Sequence, residues 1–368
     1  MDIKEMIEKD GVSRVFDKAR EAARTYVYDL RRQGKISFSS PASGEVPSIH
    51  IVRRTLPEVW EDTIMALMAV GQTVHTGYDP HENGEYISFP SMEATVMMHI
   101  EEPFREPRFH KNFLGGWMGF GDYKAEIEGV KDHWMISPEV VVEMIKKGKF
   151  DEIEDDKRWK YTYHQRLTAY PYLDIEAKSR TINQIDSVIR KLKKEPLSKS
   201  AQAVTWDPRW DHNDGQMGVK WKDYDSPCLQ RAWFRLVPFE QGYKLNLNDH
   251  WRSRCHLKGV PHNIFGFTEG IYEPVRLRLQ EELGVPIKRG RYVDINDSLH
   301  LYGHYFDPRR QGQDAERILN EIFKIASGEP LEQRLIIPGT PLHDMMVEEI
   351  EAEYKKRIEN PGYGGGGS

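Results

Sequence analysis

The spacing of apolar positions predicts helices near both ends of the chain. Ile3 to Arg32 places apolar side chains three or four positions apart among many charges, which indicates one or two amphipathic helices. Thr55 to Glu58 has the spacing of a capping box and predicts a helix ending near Gly71. Ile182 to Lys194, DAERILNEIFKIASG and PLHDMMVEEIEAEYKKRI show the same helical period.

Alternation of apolar and polar positions predicts strands in the middle of the chain. TVMMHI suits one strand, and FRLVP and YKLNLND read as two successive strands. Cys228 directly follows Pro227, so it would stand at the mouth of the FRLVP strand. A thiol attacks only as its thiolate, and an ordinary thiol with a pKa of about 8.5 needs a nearby cation to ionise. Arg252, on a strand that could lie beside it, is a plausible cation.

Composition narrows the class of protein. With 368 residues, 39% of them hydrophobic, the chain can bury a sizeable core. A net charge of −6 does not indicate the basic surface that nucleic-acid binding requires. Two cysteines cannot form a disulfide framework, and no Cys/His spacing predicts a metal site. No apolar run is long enough for a signal core or a membrane helix. We therefore expect a cytoplasmic protein that binds neither membrane nor nucleic acid.

Three ordered blocks resemble the thymidylate synthase superfamily, which also contains the pyrimidine-nucleotide hydroxymethylases. Pro-Cys, two strands and R-S-x-x-x-x-x-G-x-P-x-N, within Ser226 to Asn263, resemble its active-site core. Asn183 to Trp206 resembles its helix, basic turn and strand, and LHLYGHY resembles its His-x-Tyr segment. YTYHQRL, Tyr161 to Leu167, is more similar to the archaeal-like and hydroxymethylase branches than to the bacterial synthases.

The resemblance implies an α/β (α+β) fold with a large, mostly β-sheet core, flanking helices and a homodimer. The expected layout has five parts: an N-terminal helical extension (1–36), a Ser/Pro/Gly linker (37–48), a catalytic domain (49–310), C-terminal helices (311–360) and an added flexible tail (361–368).

The resemblance also implies roles for particular residues on the nucleotide side. Cys228 would add to C6 of a uracil ring, which makes C5 nucleophilic toward a one-carbon unit. Arg252 and Ser253 would bind the nucleotide phosphate, and Asn263 would bond N3–H and O4 of the base. The remaining residues implied to bind substrate are Gln230, Lys199, His300 and Tyr302, the last two through the sugar hydroxyl.

On the cofactor side, the implied one-carbon donor is 5,10-methylenetetrahydrofolate. Glu126, with Glu128 as the second choice, would order water and relay protons, and Trp134 would contact the folate. Cys255 stands where the family usually has an aspartate that bonds the pterin. A thiol is a weak partner for that task.

Other departures concern the phosphate site. Lys199 and Ser200 replace a pair of arginines that reach the partner's nucleotide phosphate, so a bidentate contact is lost. No arginine is evident in YDPHENGEYIS, where the phosphate loop would fall.

Plainer interpretations stay open for each residue. The cysteines could be packed thiols, Arg252 a surface ion pair, His300 and Tyr302 ordinary strand residues, and Asn263 part of a turn. For the whole chain we favour dUMP hydroxymethylation, because of YTYHQRL, Cys255 and the lack of an apolar terminal segment. The alternatives are thymidylate synthesis and a catalytically inactive homologue that binds nucleotide.

Overall fold

The structure is a computed structural model that describes residues 3–39, 44–77, 79–173, 179–215, 220–222, 224–307 and 313–360. The expected tail, residues 40–43 of the expected linker, and Tyr78 of the expected phosphate loop lie outside these ranges. The chain forms two compact units. Unit 1 is Met1–Gly115, Trp251–Pro261 and Arg291–Met345, and unit 2 is Gly116–His250, His262–Gly290 and Met346–Ser368.

The described chain contains both helices and strands, in groups of one to four of a kind. The helices are α1 Ile3–Asp10, α2 Val12–Arg32, α3 Leu56–Val70, α4 Met118–Ile127, α5 Pro138–Lys146, α6 Phe150–Glu154, α7 Tyr163–Thr168, α8 Gln184–Lys194, α9 Gly259–Phe267, α10 Glu273–Leu283, α11 Gln313–Ala326 and α12 Pro341–Glu359. The strands are β1 Ile36–Phe38, β2 Ser48–Arg53, β3 Gln72–Val74, β4 His81–Glu82, β5 Glu85–Tyr86, β6 Ser91–Ile100, β7 Tyr170–Leu173, β8 Ser179–Ile182, β9 Gln202–Val204, β10 Leu229–Phe239, β11 Gly242–Cys255 and β12 Ile287–Leu301.

The largest sheet has the strand order β1, β2, β6, β12, β11, β10, β9, and β3 also pairs with β6. β2 lies parallel to β6, whereas β12 is antiparallel to β6 and β10 is antiparallel to β9. Residues of β11 and β12 belong to both units. A mixed sheet of this size with flanking helices confirms the predicted α/β (α+β) class. None of the helices in the described ranges is both long and apolar enough to cross a membrane.

α3 forms the centre of unit 1 and is buried on nearly every side. Its first turn is the predicted capping box, in which the Thr55 N–H donates to the Glu58 carboxylate at 2.7 Å. The helix ends before Gly71, where an added Cβ would lie 2.5 Å from the Leu67 carbonyl oxygen. Both predicted ends of this helix are confirmed.

The predicted N-terminal helices, α1 and α2, pack within unit 1. The Arg20 guanidinium donates to the Met68 carbonyl at 3.1 Å, and the Tyr26 hydroxyl donates to the Asp62 carboxylate at 2.8 Å. On the two sides of the expected linker, β1 and β2 pair in the sheet, with Ile36 opposite Ile51. The helices are therefore held against α3, and the expected domain limits remain a prediction.

In unit 2, the two predicted strands after Cys228 are longer than their sequence patterns suggest. They extend to β10 and β11, which are joined by a tight turn at Glu240, where φ is 51°. Residues of β10 alternate between buried and partly exposed. Hydrogen bonding to neighbouring strands makes β10 and β11 longer than the stretches that alternate in the sequence.

Candidate active site

Cys228 directly precedes β10, and its backbone is held by hydrogen bonds on both sides. Its N–H donates to the Tyr163 hydroxyl oxygen at 3.2 Å, and the next N–H, from Leu229, donates to the same oxygen at 3.4 Å. Gln230 donates its side-chain amide to the Pro227 carbonyl at 2.9 Å. Gln230, predicted to bind substrate, thus uses its amide to support the turn that carries Cys228. Neither cysteine forms a disulfide.

Tyr163 is a site residue to which the sequence assigned no role. Burial raises the pKa of Tyr163, and the neighbouring Cys228 raises it further. Burial also raises the pKa of Tyr161, on which Tyr163 and Cys228 act as well. Both phenols therefore stay neutral, and Tyr163 can accept the two backbone N–H groups without carrying a charge.

Glu126 lies near the end of α4 and belongs to the same neighbourhood, since its charge acts on the pKa of Tyr163. Burial raises the pKa of Glu126, and the Lys131 ammonium, 3.2 Å away, opposes that effect. Glu128, the second choice, instead accepts a hydrogen bond from the Tyr354 hydroxyl. The surroundings of Glu126 suit proton transfer better, because its carboxyl is drawn toward the protonated form.

The turn after α4 carries aromatic and charged groups. The Trp134 ring meets the Trp159 ring edge to face, with centroids 5.2 Å apart, and the Lys131 ammonium lies 5.5 Å from the Trp134 centroid. Asp132 accepts a hydrogen bond from the Thr162 hydroxyl, and its other oxygen lies 2.7 Å from Nδ1 of His164. No local pattern predicts this carboxylate–imidazole pair, because its members are 32 positions apart in the chain.

Asn263 lies in α9, in unit 2, with 9% of its surface exposed. Its side-chain amide makes no hydrogen bond to any part of the chain that the structure describes. An amide can donate and accept at the same time, so this side chain is able to bond a ligand. This position agrees with the predicted contact to a base.

The basic turn lies between α8 and β9. The Lys199 carbonyl accepts a bond from the Trp233 indole at 2.8 Å, and the Ser200 hydroxyl lies 3.0 Å from the Lys191 ammonium. Arg235, which the sequence interpretation missed, donates to the Ser198 carbonyl at 3.1 Å. A cation therefore lies beside this turn, but the Arg235 guanidinium already donates to backbone carbonyls.

In unit 1, Arg252 and Ser253 lie half-buried near the end of β11, and His300 lies near the end of β12. The His256 N–H donates to the His300 carbonyl at 2.9 Å and so joins these two strand ends. The Tyr302 ring follows, with its centroid 4.4 Å from that of His300. Unit 1 thus brings the predicted phosphate and sugar residues onto neighbouring strand ends.

His300 is buried and electrically neutral. Burial lowers its pKa to about 4. Nε2 of this ring is enclosed and has no hydrogen-bond partner among the described residues. The next segment is held in place because the Gly303 N–H donates to the Ser91 hydroxyl at 3.3 Å, which in turn donates to Asp79 at 2.9 Å.

Cys255 lies at the end of β11. Burial raises the pKa of its thiol, although hydrogen bonds from backbone N–H groups and from Tyr305 oppose the shift. The thiol is therefore neutral and already bonded within unit 1. It cannot offer the negative charge of an aspartate, so its predicted role in folate binding gains no support from its surroundings.

Unit 1 also holds Glu61, His110 and Glu321, whose polar atoms lie within 4.8 Å of one another. Such a set could bind a metal, but Arg334 already lies between the two carboxylates, 2.7 Å from Glu61 and 2.8 Å from Glu321. Nδ1 of His110 accepts the Asn112 N–H at 3.0 Å, which leaves the ring proton on Nε2, facing Glu61. The cluster is a buried ion network, completed by its own arginine.

Comparisons with known proteins agree with the sequence resemblance. A protein of Methanocaldococcus jannaschii named "Putative thymidylate synthase" is 34% identical over 146 residues, covering 39% of this chain and 55% of that protein. One of the same name from Methanosarcina barkeri is 29% identical over 154 residues, covering 42% of this chain and 58% of that protein. The chain thus matches little more than half the length of these relatives.

Two further comparisons add context. A thermostable thymidylate synthase A from Bacillus subtilis aligns in structure with a TM-score of 0.46 and 14% identity, over 72% of this chain and 84% of that one. No protein-family model matches the chain. The part of the chain that aligns with these curated relatives is similar to proteins named putative thymidylate synthase.

Proposed function

We propose that the protein transfers a one-carbon unit from 5,10-methylenetetrahydrofolate to C5 of dUMP, and that the product is 5-hydroxymethyl-dUMP. The observation that carries the transfer is Cys228, which directly precedes β10 and bonds Tyr163 through its backbone N–H, while the charge of Glu126 acts on Tyr163. A thiol held on a rigid strand end, with a carboxyl nearby, suits covalent activation of a uracil ring.

The proposed chemistry begins at the ring. The Cys228 thiolate adds to C6, the electron pair of the C5–C6 bond moves toward O4, and C5 becomes the nucleophile. Asn263 would bond the base edge, since an amide can donate to O4 and accept from N3–H. Glu126, whose carboxyl is drawn toward protonation, would exchange protons with the ring through water.

The remaining predicted contacts keep their proposed roles. Arg252 and Ser253 would bind the phosphate, with Lys199 of a second copy of the chain in a homodimer. His300 and Tyr302 would bind the sugar hydroxyl, and the unpaired Nε2 of His300 supports this.

The residues near Trp134 fit a folate in part. Trp134 and Trp159 offer aromatic surface beside the Lys131 ammonium, which suits a flat ring with an acidic tail. The cofactor would supply the one-carbon unit. Cys255, neutral and bonded to Tyr305, gives the pterin a weaker partner than the family's aspartate, so cofactor binding differs from that of ordinary synthases.

That difference favours water over hydride as the final reactant, because hydride transfer requires the folate to stay closely positioned after it releases the carbon. Thymidylate synthesis is the second candidate, favoured by the names of the matching relatives.

The two reactions differ in both products. We expect the enzyme to yield a nucleotide heavier than dUMP by CH₂O, with tetrahydrofolate and no absorbance rise from dihydrofolate. Mass spectrometry of the nucleotide and absorbance of the folate measure this in one reaction. A methylated nucleotide formed together with dihydrofolate would establish thymidylate synthesis instead.

His300 provides a test of the sugar contact. Replacing His300 with phenylalanine keeps the ring's bulk but removes the hydrogen bond, so KM for dUMP should rise about 3- to 10-fold, the worth of a neutral hydrogen bond. Steady-state kinetics measure it. An analogue without the 3′-hydroxyl is the control, because wild type and variant should bind it alike. An equal effect of the variant on both substrates would exclude the contact.

A further inference from the structure

We propose that Asp132 and His164 form the catalytic pair that activates the water of the hydroxymethylation step, with His164 as general base and Asp132 as its positioning residue. This inference rests on the proposed function. Both residues lie in unit 2. Asp132 lies outside the motifs that carry the family resemblance, and His164 lies within YTYHQRL, where the sequence analysis assigned it no role.

The geometry defines which nitrogen is available. Asp132 lies 2.7 Å from Nδ1 of His164, so the Nδ1 proton is donated to the carboxylate and Nε2 keeps its lone pair. The Thr168 hydroxyl lies at nearly equal distances, 3.4 and 3.3 Å, from the two ring nitrogens, but its proton goes to the His164 carbonyl at 2.8 Å. Nε2 can therefore accept a proton from another molecule.

The chain is built to hold this pair. The Thr162 hydroxyl donates to the second oxygen of Asp132, which fixes the carboxylate plane. Gly129, with φ of 88°, passes so close to the His164 ring that an added Cβ would collide with it. A left-handed backbone and the missing side chain make room for the ring at that position. Contacts that fix the orientation of both side chains are typical of a preorganised catalytic site.

The pair also lies in the right neighbourhood. Asp132 is close enough to Glu126 to act on its pKa, and Glu126 acts in turn on Tyr163, which bonds the Cys228 backbone. Glu126 itself is engaged by Lys131 at 3.2 Å, and Lys131 also bonds Asp122. The His164 side chain is 27% exposed, so water can reach it.

The pair would act after the carbon has been transferred. At that stage the nucleotide carries an exocyclic methylene on C5 and remains bonded through C6 to Cys228. The oxygen of a water molecule bonds to the methylene carbon while His164 Nε2 takes a water proton, and the methylene electron pair moves through C5 toward O4. The ring then re-forms its C5–C6 double bond and expels the Cys228 thiolate, and His164 returns its proton to solvent.

A competition experiment tests this step in the full-length protein. An added thiol, 2-mercaptoethanol, attacks the same methylene without needing the base, and yields a thioether nucleotide. In His164→Gln we expect hydroxymethyl product to form about 10²- to 10⁴-fold more slowly, the usual worth of a general base. The thioether-to-hydroxymethyl ratio, read by mass spectrometry, should rise correspondingly. Asp132→Asn should change the ratio in the same direction and shift the pH profile of product formation.

The matched control is His133→Gln, since His133 is an exposed histidine of the same turn whose Nδ1–H donates to the Val130 carbonyl and whose ring meets the Trp134 ring edge to face. It should leave the ratio unchanged. Covalent trapping with 5-fluoro-dUMP and the folate checks that each variant is folded and that the earlier steps proceed.

The outcomes separate the two proposals. If wild type makes hydroxymethyl product and His164→Gln has the same ratio and rate, the pair has no role, and the proposed function stands. If wild type makes thymidylate, both proposals fail. If His164→Gln no longer traps 5-fluoro-dUMP although its circular dichroism spectrum matches that of wild type, the residue acts before water addition and the assignment is overturned.

Discussion

Replacing Cys228 with serine is expected to abolish turnover, with kcat lower by about 10⁴-fold or more, as for the loss of a covalent nucleophile. Serine preserves size and the backbone bond to Tyr163, but its hydroxyl does not ionise near neutral pH. The measurement is steady-state product formation, together with intact-protein mass spectrometry after incubation with 5-fluoro-dUMP and the folate.

The matched comparison is Cys255→Ser, because the chain has only these two cysteines. Cys255 is neutral and bonded to Tyr305, so we expect this variant to form the covalent adduct as wild type does. An adduct that persists in Cys228→Ser but disappears in Cys255→Ser would assign the chemistry to the other thiol. The absence of any adduct in wild type would favour a catalytically inactive nucleotide-binding homologue.

Features set by neighbouring residues could be predicted from the sequence. The capping box at Thr55 depends on four successive residues, and the strand after Pro227 depends on alternation within a few positions. The resemblance then added what local patterns cannot give, namely which cysteine and which asparagine belong to a site.

Contacts between distant positions could not be predicted in this way. The Tyr163 hydroxyl bonds an N–H 65 positions later, and Glu61 bonds Arg334 across 273 positions. The Ser/Pro/Gly stretch 37–48 predicts a linker, because composition reports local chain flexibility and carries no information on the pairing of β1 with β2. Burial also sets the protonation state of titratable groups, as it does for the neutral ring of His300. The residues next to a position in the sequence do not show how deeply the fold buries it.

Replacing Arg334 with methionine is expected to lower the free energy of unfolding by about 3–5 kcal/mol, the usual cost of removing one partner from a buried ion network. Arg334 is 5% exposed and bonds both Glu61 and Glu321, so its loss leaves two carboxylates buried around His110. Urea unfolding followed by circular dichroism measures the change. Arg32→Met is the control, because its exposed pair with Asp29 contributes about 0–1 kcal/mol.

The pH dependence tests whether the charge of Glu61 causes the loss. Burial by itself raises the pKa of Glu61, but hydrogen bonds from His110 and Arg334 outweigh it and hold the pKa below its ordinary value. In wild type this stabilisation is complete above the ordinary carboxylate pKa of about 4.3 and is lost as pH falls through the lowered value. Without Arg334, burial has less opposition, so ionising Glu61 in the folded state costs more. The stability gap between wild type and Arg334→Met should therefore widen from about pH 4 to pH 7. A gap that is constant across this range would mean that lost packing of the arginine side chain, and not an uncompensated charge, accounts for the destabilisation.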